Sequence, residues 1–501
     1  MDFENLFDQA RKHPGAEVSA RKADGDTCTV PSAQLLDEAQ ALADRLAASG
    51  VTRGMQIGLQ AQNGYEYLLW DLAAIRLGAV LHTLPEDLPA DAIAAVVEAQ
   101  RAALWVFEKA ENFDGVGNGV AIADTLSRNE FPVAADAATI AEADLHSRVY
   151  SSGSSGRLKG LNISRRGTEG LVSDFIADFA LAPADSHLIF LPLSNYQQRL
   201  SVYGCLWAGA SFKVVHHTAI FQEIGRYAPS FIVAPPAIYE VIYNLFGRGA
   251  DAAEKLPAFF GGKIRFMITG MAPISRELLV GFNRHGLNLL EAYGVTETGM
   301  IAWNTPGQSR IGSVGRPIHP EHVHLTDESE VVIKRPFPLS LGYFDSSSED
   351  SAATFRADGS IATGDMGVID ADGFLSLSGR KKEIIVTSGG SKFHPEEIER
   401  ALVAIAGVRH AVVTMSAGDG KLVAVLVVDA QTGPEAIVAI EQGIQAMNES
   451  VASYKRIHRK VVTTTMLTIE NGMLTRNLKY DRRGIYRHFQ AQIESGEEVA
   501  A

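Results

Sequence analysis

Tyr150-Ser151-Ser152-Gly153-Ser154-Ser155-Gly156-Arg157-Leu158-Lys159-Gly160 contains three glycines, four serines and two cations, with almost nothing to bury. Such a run cannot build a core, but it can wrap a polyanion. Its glycines allow positive φ and close backbone approach, so successive N–H groups can converge on phosphate oxygens. The hydroxyls of Ser151, Ser152, Ser154 and Ser155 add rotatable donors, and Lys159 adds a point charge. Val149 and Tyr150 read as the end of a strand, a position suited to a phosphate loop. A flexible Gly/Ser linker is the competing reading. Lys159 neither follows a glycine nor precedes Ser or Thr, and no Gly-x-Gly-x-x-Gly spacing is present, so two familiar nucleotide motifs are excluded.

The chain has 501 residues, more than one ordinary core holds, so at least two domains are expected. Apolar residues make up 46% and charged residues 21%, as in a soluble globular protein. The net charge of −14 argues against general nucleic-acid or anionic-membrane binding. Phosphates must then be handled by local donors and a metal ion. The two cysteines, Cys28 and Cys205, have no metal-ligand spacing and fit a reducing, cytoplasmic setting. The acidic start Met1-Asp2-Phe3-Glu4-Asn5 lacks the apolar core of a signal peptide. No run of 18 apolar residues predicts a membrane span.

From 32 to 50 the pattern is helical: Leu35, Ala39, Leu42 and Leu46 share a face, Ser32 can cap the start and Gly50 ends it. A strand over 55–60 precedes an amphipathic helix over 65–77. Strands follow near 103–107, 187–191, 212–215, 231–234, 264–268 and 287–291, with a helix near 167–181. Strands and helices alternating in this way predict an α/β fold with a largely parallel sheet. After Gly299 short strands with polar turns dominate, including 367–370 and 373–377 around Asp370-Ala371-Asp372-Gly373, which predicts a β-rich subdomain. The charged run Gly379-Arg380-Lys381-Lys382-Glu383 suggests a boundary. It divides the chain into an N-terminal domain over 1–380 and a smaller α+β domain over 381–501, a reasonable domain size of about 120 residues.

Four further segments carry polar, constrained residues. Gly270-Met271-Ala272-Pro273 follows a parallel strand, where ligands lie, and can offer backbone edges to a planar base. In Glu291-Ala292-Tyr293-Gly294-Val295-Thr296-Glu297, Tyr293 can stack on a purine and Thr296 can bond a phosphate. Glu297 supplies a hard oxygen for Mg²⁺. The same string can also be read as a helix N-cap box. In Thr363-Gly364-Asp365 the carboxylate can accept two ribose hydroxyls, and Arg380 can reach the ribose or a phosphate. The last is Asn471-Gly472-Met473-Leu474-Thr475-Arg476-Asn477-Leu478-Lys479, whose lysine ends a loop rich in turn formers.

In this order the five segments resemble the motifs of the acyl-adenylate-forming (AMP-binding) superfamily, from about Thr29 to Arg483. Within it the chain is most similar to fatty acyl-CoA ligases of the long-chain type. Leu191-Pro192-Leu193-Ser194-Asn195-Tyr196-Gln197-Gln198-Arg199 looks like their Leu-Pro-Leu-Ser-His-x-x-Glu-Arg segment, and the run from Gly379 to Gly390 also matches. Asn195, Gln198 and Leu158 depart from that pattern, so the nucleotide chemistry carries over and the identity of the acyl group does not.

The resemblance implies a large N-terminal domain and a small mobile C-terminal domain that turns about a hinge at Lys382. It implies ATP-dependent formation of acyl-AMP, then transfer to a phosphopantetheine thiol of CoA or of an acyl carrier protein. The small-molecule substrate is a carboxylic acid. By the same resemblance Ser151, Ser152, Gly153, Ser154, Ser155, Gly156 and Lys159 meet the β- and γ-phosphates. Gly270, Met271, Ala272, Glu291, Tyr293 and Gly294 frame adenine, and Thr296 meets the α-phosphate. Glu297 holds Mg²⁺, Asp365 and Arg380 hold the ribose, and Lys479 bridges the carboxylate and α-phosphate. Asn195, Tyr196, Arg199, Val202, Tyr203 and Val233 would line the acyl pocket, although the tyrosines could equally be packing residues. That pocket lacks the Phe-Asp-x-x-type aspartate that amino-acid adenylation domains use to hold an α-ammonium, so a plain carboxylic acid is expected rather than an amino acid. His458, Arg459, Lys460, Arg482 and Arg483 could form a basic patch for the thiol carrier.

Overall fold

The computed structural model describes residues 1–109, 112, 116–140, 142, 144–152, 158–345, 347–387, 391–468, 470–474, 480–495 and 497–498. Among these residues two large sheets dominate. A nine-stranded sheet carries a parallel run in the order Glu17–Arg21, Ser211–Val214, Ser186–Ile189, Phe231–Ala234, Phe266–Thr269 and Leu289–Val295. Antiparallel strands close its two edges. A seven-stranded sheet runs parallel through Gly119–Ala121, Leu104–Phe107, Gln56–Gln60, Val80–Thr83 and Leu145–Ser152. It ends with antiparallel Leu158–Ser164 and Ser340–Tyr343.

The helix Tyr65–Leu77 falls where its pattern predicts, but it is not amphipathic: every residue from Tyr65 to Ile75 is buried. It packs on strands of both large sheets and on the helix Ser32–Ala48, so no face meets water. Glu66 and Asp71 are therefore inside, and each finds a partner: Ala23 N donates to Glu66 at 2.9 Å, and Arg199 binds Asp71. Ser32 is the first residue of its helix and makes no side-chain cap; the expected cap does not form because Pro31 occupies the capping position. Gly50, with φ of +102°, sits just beyond that helix as expected.

A third, antiparallel sheet of Val323–Leu325, Glu330–Ile333, Ile361–Ile369 and Leu375–Arg380 forms the predicted β-rich subdomain. The remainder builds a sheet of Val408–Met415, Leu422–Val428, Arg459–Thr463 and Glu497–Glu498 flanked by Pro395–Val403 and Pro434–Ser450. Leu422–Val428 is buried along its whole length because hydrophobic clusters cover both of its faces. No helix among the described residues is long and apolar enough to cross a membrane.

Candidate active site

The Gly/Ser-rich segment is not a strand–loop–helix phosphate site. It joins two antiparallel strands, with Tyr150 opposite Gly160, Ser151 opposite Lys159 and Ser152 opposite Leu158. Gly153, Ser154, Ser155 and Gly156 lie outside the described residues, as do the side chains of Ser151 and Ser152. The stem beneath them is well anchored. A Cβ on Gly160 would lie 2.3 Å from the Phe344 ring, so only glycine lets that ring pack on the strand. Gly160 N also donates to Asp345.

The string from Glu291 to Glu297 is not a helix start. Leu289–Val295 leaves the parallel run and folds back through a tight turn onto Gly299–Trp303, with Thr298 N donating to Val295 O at 3.1 Å. Thr296 and Glu297 occupy that turn, half-buried. A Cβ on Gly294 would stand 2.3 Å from Gly299 O, so the turn can close only over glycine. Tyr343 donates its hydroxyl to Glu297 Oε1 at 2.9 Å, and Lys159 Nζ lies 5.2 Å from the centre of the Tyr343 ring. One tyrosine thus links the hairpin stem to the acidic turn. No motif marks Tyr343; only the pairing of Ser340–Tyr343 with Leu158–Ser164 brings it there.

A second cluster lies near enough for the charge of Glu297 to act on its arginine, Arg380. Asp365 sits inside the strand Ile361–Ile369, directly opposite Arg380. Its Oδ2 accepts from the Tyr293 hydroxyl at 2.8 Å, and its Oδ1 lies 3.1 Å from Arg380 Nε. A carboxylate has about four acceptor positions, so two remain for other donors. The Tyr293 ring is only 7% exposed and packs in the subdomain core. Its hydroxyl reaches Asp365.

Gly270, Met271 and Ala272 lie half-buried at the carboxyl end of Phe266–Thr269, and Met271 takes a φ of +71°. That conformation is uncommon for a residue with a side chain and marks strain at the strand exit. A Cβ on Gly270 would meet Ala292 O at 3.0 Å, so this turn and the Glu291 strand are closely fitted. Burial raises the Glu291 carboxyl to about 7, although Gly312 N donates to Oε2 at 3.0 Å. The folded protein thus holds a proton that the unfolded chain releases between about pH 4.5 and 7, and stability falls as pH rises through that window. Glu291→Gln is expected to raise the thermal midpoint at pH 8 and to change it little at pH 4.5. The gain at pH 8 is up to about 3 kcal/mol.

Three residues of the expected acyl pocket are closed inside the fold. Tyr196, Arg199 and Tyr203 are 1%, 0% and 0% exposed and form a closed polar core. Arg199 makes two bonds to Asp71, at 3.0 and 2.5 Å, and donates to Ser147 Oγ at 2.8 Å. Tyr203 donates to the same aspartate, and Tyr196 meets Thr168. These three are packing residues, because a guanidinium with its carboxylate inside the fold must satisfy itself there. Asn195 and Val233 are half-buried: Asn195 just precedes the helix Tyr196–Ala208, and Val233 is on the strand Phe231–Ala234. Asn63, which carried no motif, fastens this region by donating to Leu191 O and Val215 O and accepting from Leu193 N.

Lys382 is exposed in a short turn, Lys381–Glu383, and the adjacent Glu383 pairs with Arg482 at 2.9 Å. Lys479 and the Gly389-Gly390 pair lie outside the described residues. Of the expected basic patch only His458 and Arg483 are exposed. Arg459 and Lys460 are 7% and 4% exposed and paired with Asp419 and Glu441, and Arg482 is held by Glu383 and Glu399.

Residues 6–338 match the family model of the AMP-binding enzyme, and residues 382–498 match that of its C-terminal domain. The chain is 24% identical to the long-chain-fatty-acid–CoA ligase FadD15 of Mycobacterium bovis, over 98% of this chain and 96% of that protein. It is 27% identical to the 2-succinylbenzoate–CoA ligase of Bacillus licheniformis, over 75% and 80% of the two. Its fold superposes on ATP-bound MatB from Rhodopseudomonas palustris with a TM-score of 0.79 at 21% identity, covering 98% of this chain and 100% of that one. For the anthranilate CoA ligase AuaEII in complex with anthranoyl-AMP the TM-score is 0.80 at 19% identity, covering 97% and 99%. With two thirds of its length matched by the first model and most of the remainder by the second, the chain belongs to the AMP-binding enzyme family.

Proposed function

We propose that this enzyme joins a carboxylic acid to the thiol of CoA through an acyl-AMP intermediate. The observation that carries this reading is the convergence of Tyr293, Asp365 and Arg380 from distant segments, with Glu297, the Tyr343 partner, near enough for its charge to act on Arg380. The likeness to fatty-acid–CoA and succinylbenzoate–CoA ligases supports CoA as the thiol. It supports a plain acid over an amino acid, with fatty acids the first class to test.

In the first half-reaction a carboxylate oxygen bonds to the α-phosphorus of ATP, and the bond to pyrophosphate breaks. In the second, the thiol sulfur bonds to the acyl carbon and AMP leaves. The chemical demand of the first is neutralisation of phosphate charge and placement of the acid. Here Lys159 and the serine hydroxyls meet the terminal phosphates, and Thr296 meets the α-phosphate. Asp365 accepts from the ribose hydroxyls through its two remaining acceptor positions, while Tyr293 and Arg380 keep the carboxylate oriented. Gly270–Ala272 and the Glu291 strand border the base. Glu297, a half-buried hard oxygen ligand that accepts from the Tyr343 hydroxyl, fits Mg²⁺, which needs one or two carboxylates when phosphates supply its other ligands. Once bound, the ion neutralises phosphate charge. Lys382 serves as the pivot of the C-terminal domain, for it is exposed while the neighbouring Glu383 is already fastened to that domain.

The test is ATP–pyrophosphate exchange over short, medium, long-chain, aromatic and amino acids, followed by thioester detection with CoA. Exchange that depends on one acid class, with a CoA thioester as product, is the expected result. Absence of exchange with every acid in protein that binds ATP would overturn the reading. Exchange without transfer to CoA would move the acceptor to a carrier protein. Asp365→Ala is expected to weaken ATP use about 10–100-fold, the worth of a charge-assisted hydrogen bond, and this reads out as a raised KM for ATP.

A further inference from the structure

Away from the nucleotide residues, two clusters of two histidines and a glutamate are close enough to share an ion: Glu86 with His216 and His217, and Glu321 with His319 and His322. Among the described residues only the second has a carboxylate bonded to the far side of a ring. Asp174 Oδ2 lies 3.0 Å from His319 Nε2. A carboxylate accepts only, so it fixes the proton of the neutral imidazole on Nε2 and leaves the lone pair on Nδ1. That Nδ1 is 3.6 Å from Glu321 Oε1, and His322 Nε2 lies 3.9 Å from the same oxygen. His322 turns Nδ1 inward, where it is buried with no hydrogen-bond partner among the described residues, and so presents Nε2 to the glutamate.

A tetrahedral zinc ion with ligands at about 2.0–2.1 Å spaces them roughly 3.4 Å apart, so each nitrogen need close on the Glu321 oxygen by no more than about half an ångström, and the three ligand atoms already lie within 4.8 Å of one another. Two imidazoles and one carboxylate suit zinc better than magnesium or calcium, which prefer oxygen. The backbone also favours a fixed site. Pro320 stiffens the turn Pro320–His322, which connects Arg316–Pro317 of the nine-stranded sheet to Val323–Leu325 of the β-subdomain. Asp174 reaches it from the helix Arg165–Asp178. We propose that His319, Glu321 and His322 bind a divalent transition metal of the zinc type, with Asp174 as the orienting carboxylate. Water completes the coordination. The ion clamps that helix to the subdomain that carries Asp365.

The experiment uses the full chain without affinity tag or nucleotide, in a His216→Ala, His217→Ala background so that the other cluster does not contribute. Cobalt(II) is expected to give the visible absorption of a four-coordinate site at one ion per chain, displaced by an equal amount of zinc. His319→Ala or His322→Ala should abolish the signal. Asp174→Asn, which keeps all three ligands, should weaken zinc affinity about 10–100-fold. His322→Gln replaces the alanine variant if the latter fails to fold. No saturable uptake at one ion per chain, uptake indifferent to His319 and His322, or equal affinity in Asp174→Asn would each overturn the proposal.

Discussion

Replacement of Lys479 by alanine is expected to lower acid-dependent ATP–pyrophosphate exchange by about 100-fold or more, while supplied acyl-AMP still reacts with CoA near its original rate. The two halves differ in what they need from a cation. Adenylation brings a carboxylate onto an already negative phosphate, and in the proposed reading Lys479 bridges the two. Thioester formation expels AMP from a neutral carbonyl, and in the proposed reading the C-terminal domain has by then turned about Lys382. Leu474 and Tyr480, on either side of the segment that carries Lys479, pair across an isolated β-bridge. Tyr480 in turn is hydrogen-bonded at 3.0 Å to His410, on the strand Val408–Met415 of the C-terminal sheet. Equal loss in both half-reactions would remove Lys479 from its assigned role.

Asp71→Ala is expected to destabilise the N-terminal domain by about 3–5 kcal/mol, because it strands the Arg199 guanidinium inside the fold. The pair ties the helices Tyr65–Leu77 and Tyr196–Ala208 to the strand Leu145–Ser152 through Ser147. Replacing both partners with apolar residues of similar volume, as in Asp71→Leu with Arg199→Met, should recover much of the loss. Denaturant midpoints measure this directly. Were Arg199 instead a substrate contact, its replacement would raise KM for the acid and leave the midpoint almost unchanged.

These residues also show what the sequence could and could not convey. The apolar spacing over 65–77 placed a helix there, but a periodicity cannot show that sheets lie on both sides, so the burial of Glu66 and Asp71 stayed hidden. The Leu191–Arg199 segment matched a family motif, yet a motif does not say whether an arginine faces a cavity or a carboxylate 128 residues away. Thr296 and Glu297 fit a helix cap by local chemistry; the antiparallel return of Gly299–Trp303 decided otherwise. The nucleotide candidates stood out because each lies close to a glycine, which leaves a compositional trace, although Tyr293, Asp365 and Arg380 prove to lie on strands. Tyr343 and Asn63 were not legible, because ordinary residues become functional neighbours only when strands pair.

The edge strand Ser340–Tyr343 has a practical meaning for anyone who expresses this protein in pieces. Family matching ends the first segment at residue 338, two residues short of the strand that hydrogen-bonds to Leu158–Ser164. A fragment cut at that limit would leave a row of bare amides and carbonyls beside the glycine–serine tip, open to a strand from another molecule. The ribosome meets the same gap, for the hairpin near residue 150 stays uncovered until residue 343 has emerged. Fragments extended through the Asp365–Arg380 hairpin should remain monodisperse where those stopped at 338 precipitate.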